Sequence, residues 1–199
     1  MPEPRLRTLI GAGEIRRRIQ ELGSQIDADY PGDAIHLIGI LKGSFMFLAD
    51  LSRAITRPTR IDFIGISSYG KGKTSSGEVK LTKDLDCSIE GSEVLVVEDI
   101  VDTGVTLTYL INVLKQRKPR SVRIAALLDK PERRRSEVKV DYVGFRIPDE
   151  FVVGQRFNVA IKEQDAGLAL LLIIAQVVAE VPVRDHPHVI AVGSISVGP

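Results

Sequence analysis

The sequence predicts an α/β fold: a mostly parallel central sheet flanked by helices. Three observations point there. Ala34–Leu41 and Val94–Val97 are continuous apolar runs, as in strands buried on both faces rather than one. Segments with helical spacing fall between such runs; Leu107, Leu110, Ile111 and Leu114 are the clearest. Finally, Val94–Val97 leads into Glu98 and Asp99, then Asp102-Thr103-Gly104, and then a helix. Acids and free backbone N–H groups thus meet at the carboxyl end of a strand, where open α/β sheets bind ligands.

Taken in order, Ile15, Ile19 and Leu22 share one helical face, with Arg16, Arg17, Arg18 and Glu21 outside, which gives a helix over 11–23. Ala34–Leu41 is a strand broken by Lys42-Gly43-Ser44, and Phe45–Ile55 returns to helical spacing. Ile61–Ser67 is the next strand. Ser68–Gly77, polar and glycine-rich, reads as a mobile loop. Beyond it, Val79–Lys83 and Ser88–Ile89 are expected to pair as an antiparallel excursion. Val94–Glu98 is the third core strand, followed by a helix over 104–117 and strands at Val122–Leu128 and Asp141–Phe145. The alternation of strands and helices favours parallel pairing. Gln155–Ala166 has no clear periodicity. Leu168–Ala179, interrupted by Gln176, is apolar but shorter than the roughly 20 residues that span a bilayer, so it reads as a buried helix or strand.

A chain of 199 residues suits one domain, and 44% apolar with 27% charged residues is a globular composition. A net charge of +1 gives no basic surface for nucleic acid, so no nucleic-acid partner is expected. Met-Pro-Glu-Pro-Arg-Leu-Arg is not backed by an apolar run, so neither a signal peptide nor a membrane partner is expected. The single cysteine, Cys87, cannot close an internal disulfide and favours a reducing, cytoplasmic setting.

The chemistry concentrates in residues 98–106. Gly104 lets the backbone approach an anion, the first N–H groups of the helix that follows have no partner, and Thr103 and Thr106 add hydroxyls. Such a turn can cradle a monophosphate without a lysine. Taken alone it reads first as an ordinary capped turn. Glu98 and Asp99 shift the balance, because adjacent carboxylates need vicinal hydroxyls or a cation to hold. A phosphate cradle beside a diol clamp describes a ribose 5-phosphate site. Gly72-Lys73-Thr74 imitates the tail of an ATP-binding loop, but Ser67 stands where that motif needs its first glycine. His186-Pro187-His188 reads as a tail loop rather than a metal site.

Val94–Thr106 resembles, at all thirteen positions, the phosphoribosyl pyrophosphate signature of type I phosphoribosyltransferases. Ile40–Ser44, Ser67–Gly70, Leu127–Arg134 and Asp141–Gly154 are similar to the hypoxanthine-guanine branch of that family, in its order and rough spacing. The resemblance covers roughly residues 5–154. It implies the type I phosphoribosyltransferase fold with a small hood, in a single domain with a core of about 11–154 and residues 155–199 as a divergent hood or cap. It also implies transfer of 5-phosphoribosyl to N9 of a 6-oxopurine, with Mg²⁺ as cofactor and a homodimer or homotetramer as the assembly.

Position by position, the resemblance implies that Lys42 and Gly43 hold pyrophosphate, in a loop whose Leu-Lys peptide can be cis in relatives, and that Ser68 and Tyr69 open a closing lid. Glu98 and Asp99 are implied to grip ribose and help hold metal, Asp102 to be the catalytic acid or base at purine N7, and Thr103, Gly104, Val105 and Thr106 to bind the 5′-phosphate. Lys130 is implied to donate to the 6-oxo group, Phe151 to stack on the base and Val152 to meet the ring edge by its backbone. The sequence departs from the family at Gln155-Arg156-Phe157-Asn158-Val159. Asn158 stands where relatives have a metal-contacting Asp, and Gln164 near the place of an Arg that contacts pyrophosphate. Two other readings stay open: a non-catalytic sensor of phosphoribosyl pyrophosphate, and a transferase for another base such as xanthine.

Overall fold

The computed structural model describes residues 6–30, 32, 34–68, 79–149, 152–153 and 159–162. Chain order runs β1 (Leu6–Ile10), α1 (Ala12–Asp29), β2 (Ile35–Leu41), α2 (Phe45–Ala54) and β3 (Thr59–Ser68). It continues through β4 (Val79–Lys83), β5 (Glu93–Val101), α3 (Val105–Lys115), β6 (Ser121–Asp129), a 3-10 turn at Pro131–Arg133 and β7 (Tyr142–Arg146). Two short strands, β8 (Val152–Val153) and β9 (Val159–Lys162), follow.

Strands β4-β3-β2-β5-β6-β7 form the main sheet, parallel except for the edge strand β4. Both faces of its centre are covered, which explains the unbroken apolar runs of β2 and β5. On one face, Ile15, Ile19, Leu22 and Ile26 of α1 and Phe47, Leu48 and Leu51 of α2 pack on Ile35, Leu37, Leu95 and Val97. On the other, Leu107, Leu110, Ile111 and Leu114 of α3 pack on Ile38, Ile40, Val94 and Val96. The predicted α/β class is the one observed.

Some boundaries differ from the sequence reading. Helix α1 runs six residues past 23 because Ile26 continues its buried stripe, and the chain leaves the helix at Tyr30. Ser88–Ile89 is not a strand. Strand β4 pairs with β3 instead, and Ile89 is fully buried as a core plug among the α3-side residues. A second sheet, in the order β1-β9-β8, joins residues near both ends of the described chain. These strands are too short for periodicity to show. The small sheet is fastened to the main core through Ile10 and Val152. Most of the Ser68–Gly77 loop and the whole of Leu168–Ala179 lie outside the described residues. No helix among the described residues is long and apolar enough to cross a membrane.

One core residue carries a pH dependence. His36 of β2 is 2% exposed, and neither ring nitrogen has a hydrogen-bond partner. Burial lowers its pKa, partly opposed by Asp62. A base whose folded-state pKa is depressed contributes stability that is complete above the unfolded value near 6.5 and is lost as pH falls below it. Thermal melts at pH 8 and pH 5 should therefore show a smaller drop for His36→Leu than for the parent. An equal drop would show that His36 protonates freely in the folded protein.

Candidate active site

The chain passes from β2 to β3 on one side, then crosses to β5 on the other side of β2. The β2/β5 boundary is thus the switch point of the sheet. Loops leaving the carboxyl ends of two such strands diverge there and leave a crevice. After β2, the Leu41–Lys42 peptide is cis. Lys42 is exposed, while Ser44 is fully buried and its Oγ donates to Ile40 O at 2.7 Å. This turn lies against β5: a Cβ added to Gly43 would meet the Asp99 carboxylate, 2.7 Å from its Cγ. Only glycine lets the two loops approach so closely.

Glu98 and Asp99 do not end their strand. β5 continues to Val101, held by β6 as far as the Val101–Asp129 pair, whereas its pairing with β2 stops at Gly39–Val97. The acids therefore lie on a strand with one free side. Alternation breaks there as well: Val97 belongs to the α1–α2 face, whereas Val101, also odd-numbered, belongs to the α3 face. Glu98 Oε2 is enclosed without a hydrogen-bond partner, and burial together with the neighbouring Asp99 raises the Glu98 pKa well above the usual carboxylate value. Asp99 is 8% exposed and its Oδ1 accepts from Ile100 N at 2.9 Å. Two adjacent acids, one of them strained by burial, make a place that favours an incoming cation or hydroxyl donor.

Beyond Val101 the chain turns through Asp102 and Thr103 to Gly104, whose φ of +79° is left-handed. A Cβ at Gly104 would meet Val138 Cγ1 at 2.8 Å and Ser136 Oγ at 3.0 Å. No side chain caps α3, and Val105 and Thr106 are exposed at its head. The loop after β6 braces the underside of the turn. Lys130 N donates to Val101 O (2.9 Å), Arg135 N to Thr103 O (2.9 Å) and Arg134 Nη1 to Asp102 O (3.2 Å). Arg134 also pairs with the buried Asp129. Helix head, acid pair, Lys42-Gly43 and Lys130 thus gather at one end of the sheet. The phosphoribosyl transferase domain family matches residues 11–161. Hypoxanthine phosphoribosyltransferase of Haemophilus influenzae is 48% identical over 162 residues, 80% of this chain and 90% of that one.

The chain belongs to the hypoxanthine-guanine phosphoribosyltransferase family.

Solved members of the family share its fold. A hypoxanthine-guanine phosphoribosyltransferase from Bacillus anthracis superposes with a TM-score of 0.74 at 42% identity, covering 80% of this chain and 99% of that one. A Trypanosoma cruzi hypoxanthine phosphoribosyltransferase, solved to study how its C-terminal region affects oligomeric state and enzymatic activity, gives 0.75 at 42% identity, covering 79% and 91%. The family match ends at residue 161, further than the motif resemblance that stops at Gly154.

Of the residues read as a phosphoribosyltransferase site, Lys42, Gly43, Asp102, Thr103, Gly104 and Lys130 lie on the loops that follow β2, β5 and β6, Glu98 and Asp99 lie inside the last part of β5, and Val105 and Thr106 open α3. Ser68 ends β3, paired with Val79. Val152 is buried in β8. Tyr69, Phe151, Asn158, Gln164 and the 186–188 segment lie outside the described residues. Sequence reasoning assigned nothing to Arg133 and Arg134, although the Glu-Arg-Arg-Arg run directly after Lys130-Pro131 was visible. Arg133 Nε comes within 2.8 Å of Asp102 Oδ1 without aiming its N–H along that line, an ion pair rather than a hydrogen bond.

Proposed function

We propose that the protein transfers the 5-phosphoribosyl group of phosphoribosyl pyrophosphate to N9 of hypoxanthine or guanine, giving IMP or GMP and pyrophosphate in purine salvage. The observation that carries this reading is the open, uncapped head of α3. Gly104 holds the turn left-handed, Val105 is 43% exposed, and the acids of β5 stand just upstream. Helix-terminal N–H groups favour a 5′-phosphate there, with the Thr103 and Thr106 hydroxyls as further donors. Glu98 and Asp99 take the ribose hydroxyls, the Lys42-Gly43 turn takes pyrophosphate through its amides, and Ser68-Tyr69 begins the lid.

On the base side, Lys130 donates to the 6-oxo group, Phe151 stacks on the ring and Val152 meets its edge. Positive charge develops at ribose C1 as pyrophosphate departs, and exclusion of water by the lid protects it. Asp102 accepts or shares the proton at purine N7, which leaves electron density at N9 for attack on C1.

The acid pair fits magnesium. Glu98 Oε2 is enclosed and lacks a hydrogen-bond partner, and Asp99 adds a second hard oxygen donor. No cluster of three or more metal-ligating side chains occurs among the described residues. That agrees with an ion that takes one or two carboxylates and completes its shell with water and substrate phosphate oxygens. Glu98 and Asp99 would hold such an ion, which would supply neutralising charge for the leaving pyrophosphate.

The small sheet is tied to the main core through Ile10 and Val152, which supports a single domain; of the expected hood, residues 155–199, only 159–162 lie among the described residues. A homodimer or homotetramer is the assembly expected.

The deciding experiment supplies Mg²⁺, phosphoribosyl pyrophosphate and each free base separately, and measures product nucleotide. IMP or GMP is the expected product. Product from xanthine or a pyrimidine alone would reassign the base. Tight phosphoribosyl pyrophosphate binding with no turnover on any base would make the protein a sensor.

A further inference from the structure

We infer that Arg133 is a positioning residue for the reaction, joining the acid that handles the purine proton to the segment that lines the base. Its guanidinium bridges two carboxylates from different parts of the chain. Nε lies 2.8 Å from Asp102 Oδ1, and Nη1 donates to Asp149 Oδ1 at 3.1 Å. Asp102 follows β5. Asp149 follows β7, two residues before Phe151 and three before Val152. Arg133 itself closes the 3-10 turn that starts right after Lys130. One side chain therefore ties together the three stretches that meet the base in the proposed reaction.

The geometry assigns it a definite task. Asp102 Oδ1 is enclosed, yet the side chain as a whole is 43% exposed, so the remaining oxygen, Oδ2, is the one turned to the open side. Holding a carboxylate by one oxygen fixes the direction in which the other presents its lone pairs. Arg134, from the same turn, fixes the backbone at the same residue by donating to Asp102 O. The acid is thus held at both ends, and Asp149 keeps Arg133 from swinging away. The hydrogen bond to Asp149 and the nearby Asp102 carboxylate raise the Arg133 pKa, so the guanidinium keeps its charge.

Arg133, Asp102 and Asp149 side chains are 41%, 43% and 49% exposed, and exposed pairs contribute little to folding. Arg133→Ala should therefore fold and melt like the parent. Its loss is expected in the chemical step. Turnover should fall about 10-fold, short of the ~10²-fold that an ångström of misplacement can cost, with KM for phosphoribosyl pyrophosphate unchanged. Arg133→Lys, which can reach only one acid at a time, should recover part of the loss. Asp149→Asn should act in the same direction, and the Arg133→Ala/Asp149→Asn double variant should lose no more than Arg133→Ala alone, since the two share one linkage.

The inference rests on the role proposed for Asp102, so Asp102→Asn is measured alongside. A crippled Asp102→Asn beside an Arg133→Ala within twofold of the parent would overturn the positioning role alone. So would losses at Arg133 and Asp149 that multiply independently. Full turnover by Asp102→Asn would remove the Asp102 assignment, and this inference with it.

Discussion

Asp102→Asn is expected to lower turnover with hypoxanthine or guanine by about 10²–10⁴-fold, the usual contribution of a positioned proton-transfer group. That corresponds to roughly 3–5 kcal/mol of barrier. Asparagine keeps the shape of the side chain and can still meet a hydrogen at N7, so KM for the base should change little. What it cannot do is take up a proton. The turn that carries it should survive the substitution. Gly104 sets the turn conformation, and Arg134, Arg135 and Ser136 hold the carbonyls of residues 102 and 103 from below. Steady-state kinetics read both parameters, and an unchanged turnover number would remove Asp102 from the chemistry.

The second large effect is expected at Gly43. A methyl group there would run into the Asp99 carboxylate, 2.7 Å from Cγ. Neither side can give way cheaply. Asp99 is 8% exposed and sits on a strand paired with β6, and the Gly43 turn is pinned by the buried Ser44. Overpacking of this kind typically costs about 1–3 kcal/mol. In Gly43→Ala the strain falls on the two groups proposed to hold pyrophosphate and ribose, so kcat/KM for phosphoribosyl pyrophosphate should drop by about 10²-fold, or roughly 2.7 kcal/mol. Trimming the opposing side chain in a Gly43→Ala/Asp99→Ala double variant should restore the melting temperature without restoring activity. If Gly43→Ala alone leaves kcat/KM intact, the two loops can separate at little cost and the tight fit plays no part in binding.

The main sheet was legible because β2 and β5 are buried on both faces, which leaves a run of apolar residues that few other settings produce. Helices α2 and α3 were legible from their stripes. The reading failed where structure depends on partners distant in sequence. Nothing local shows that β5 outruns β2 and continues along β6 through Glu98 and Asp99, so the acids read as a strand end. The pair β1 and β9 stabilise each other across about 150 residues, and neither is long enough to show a period. The same holds for the site. Residues 98–106 are contiguous, and their chemistry can be read in order. The fit of Gly43 against Asp99 and the reach of Arg133 to Asp102 exist only once three loops are brought to the same end of the sheet. Lys130 showed the problem in miniature: a lysine before proline is commonplace in sequence, and its backbone tie to Val101 appears only in the fold.

The placement of β9 between β1 and β8 has a consequence for how the protein is made. The last strand of the main sheet ends at Arg146, so once that residue has left the ribosome every strand of that sheet has its neighbours. Strand β1, made before the other described strands, must wait for residues 159–162 before it can pair. Of the residues proposed to meet the base, Asp102 and Lys130 therefore gain their surroundings with the main sheet, whereas the strand that carries Val152 waits for β9, as β1 does. A bulky fusion ahead of Leu6 is expected to interfere at that final step, and its cost should fall on the small sheet that carries Val152 while the main sheet is spared.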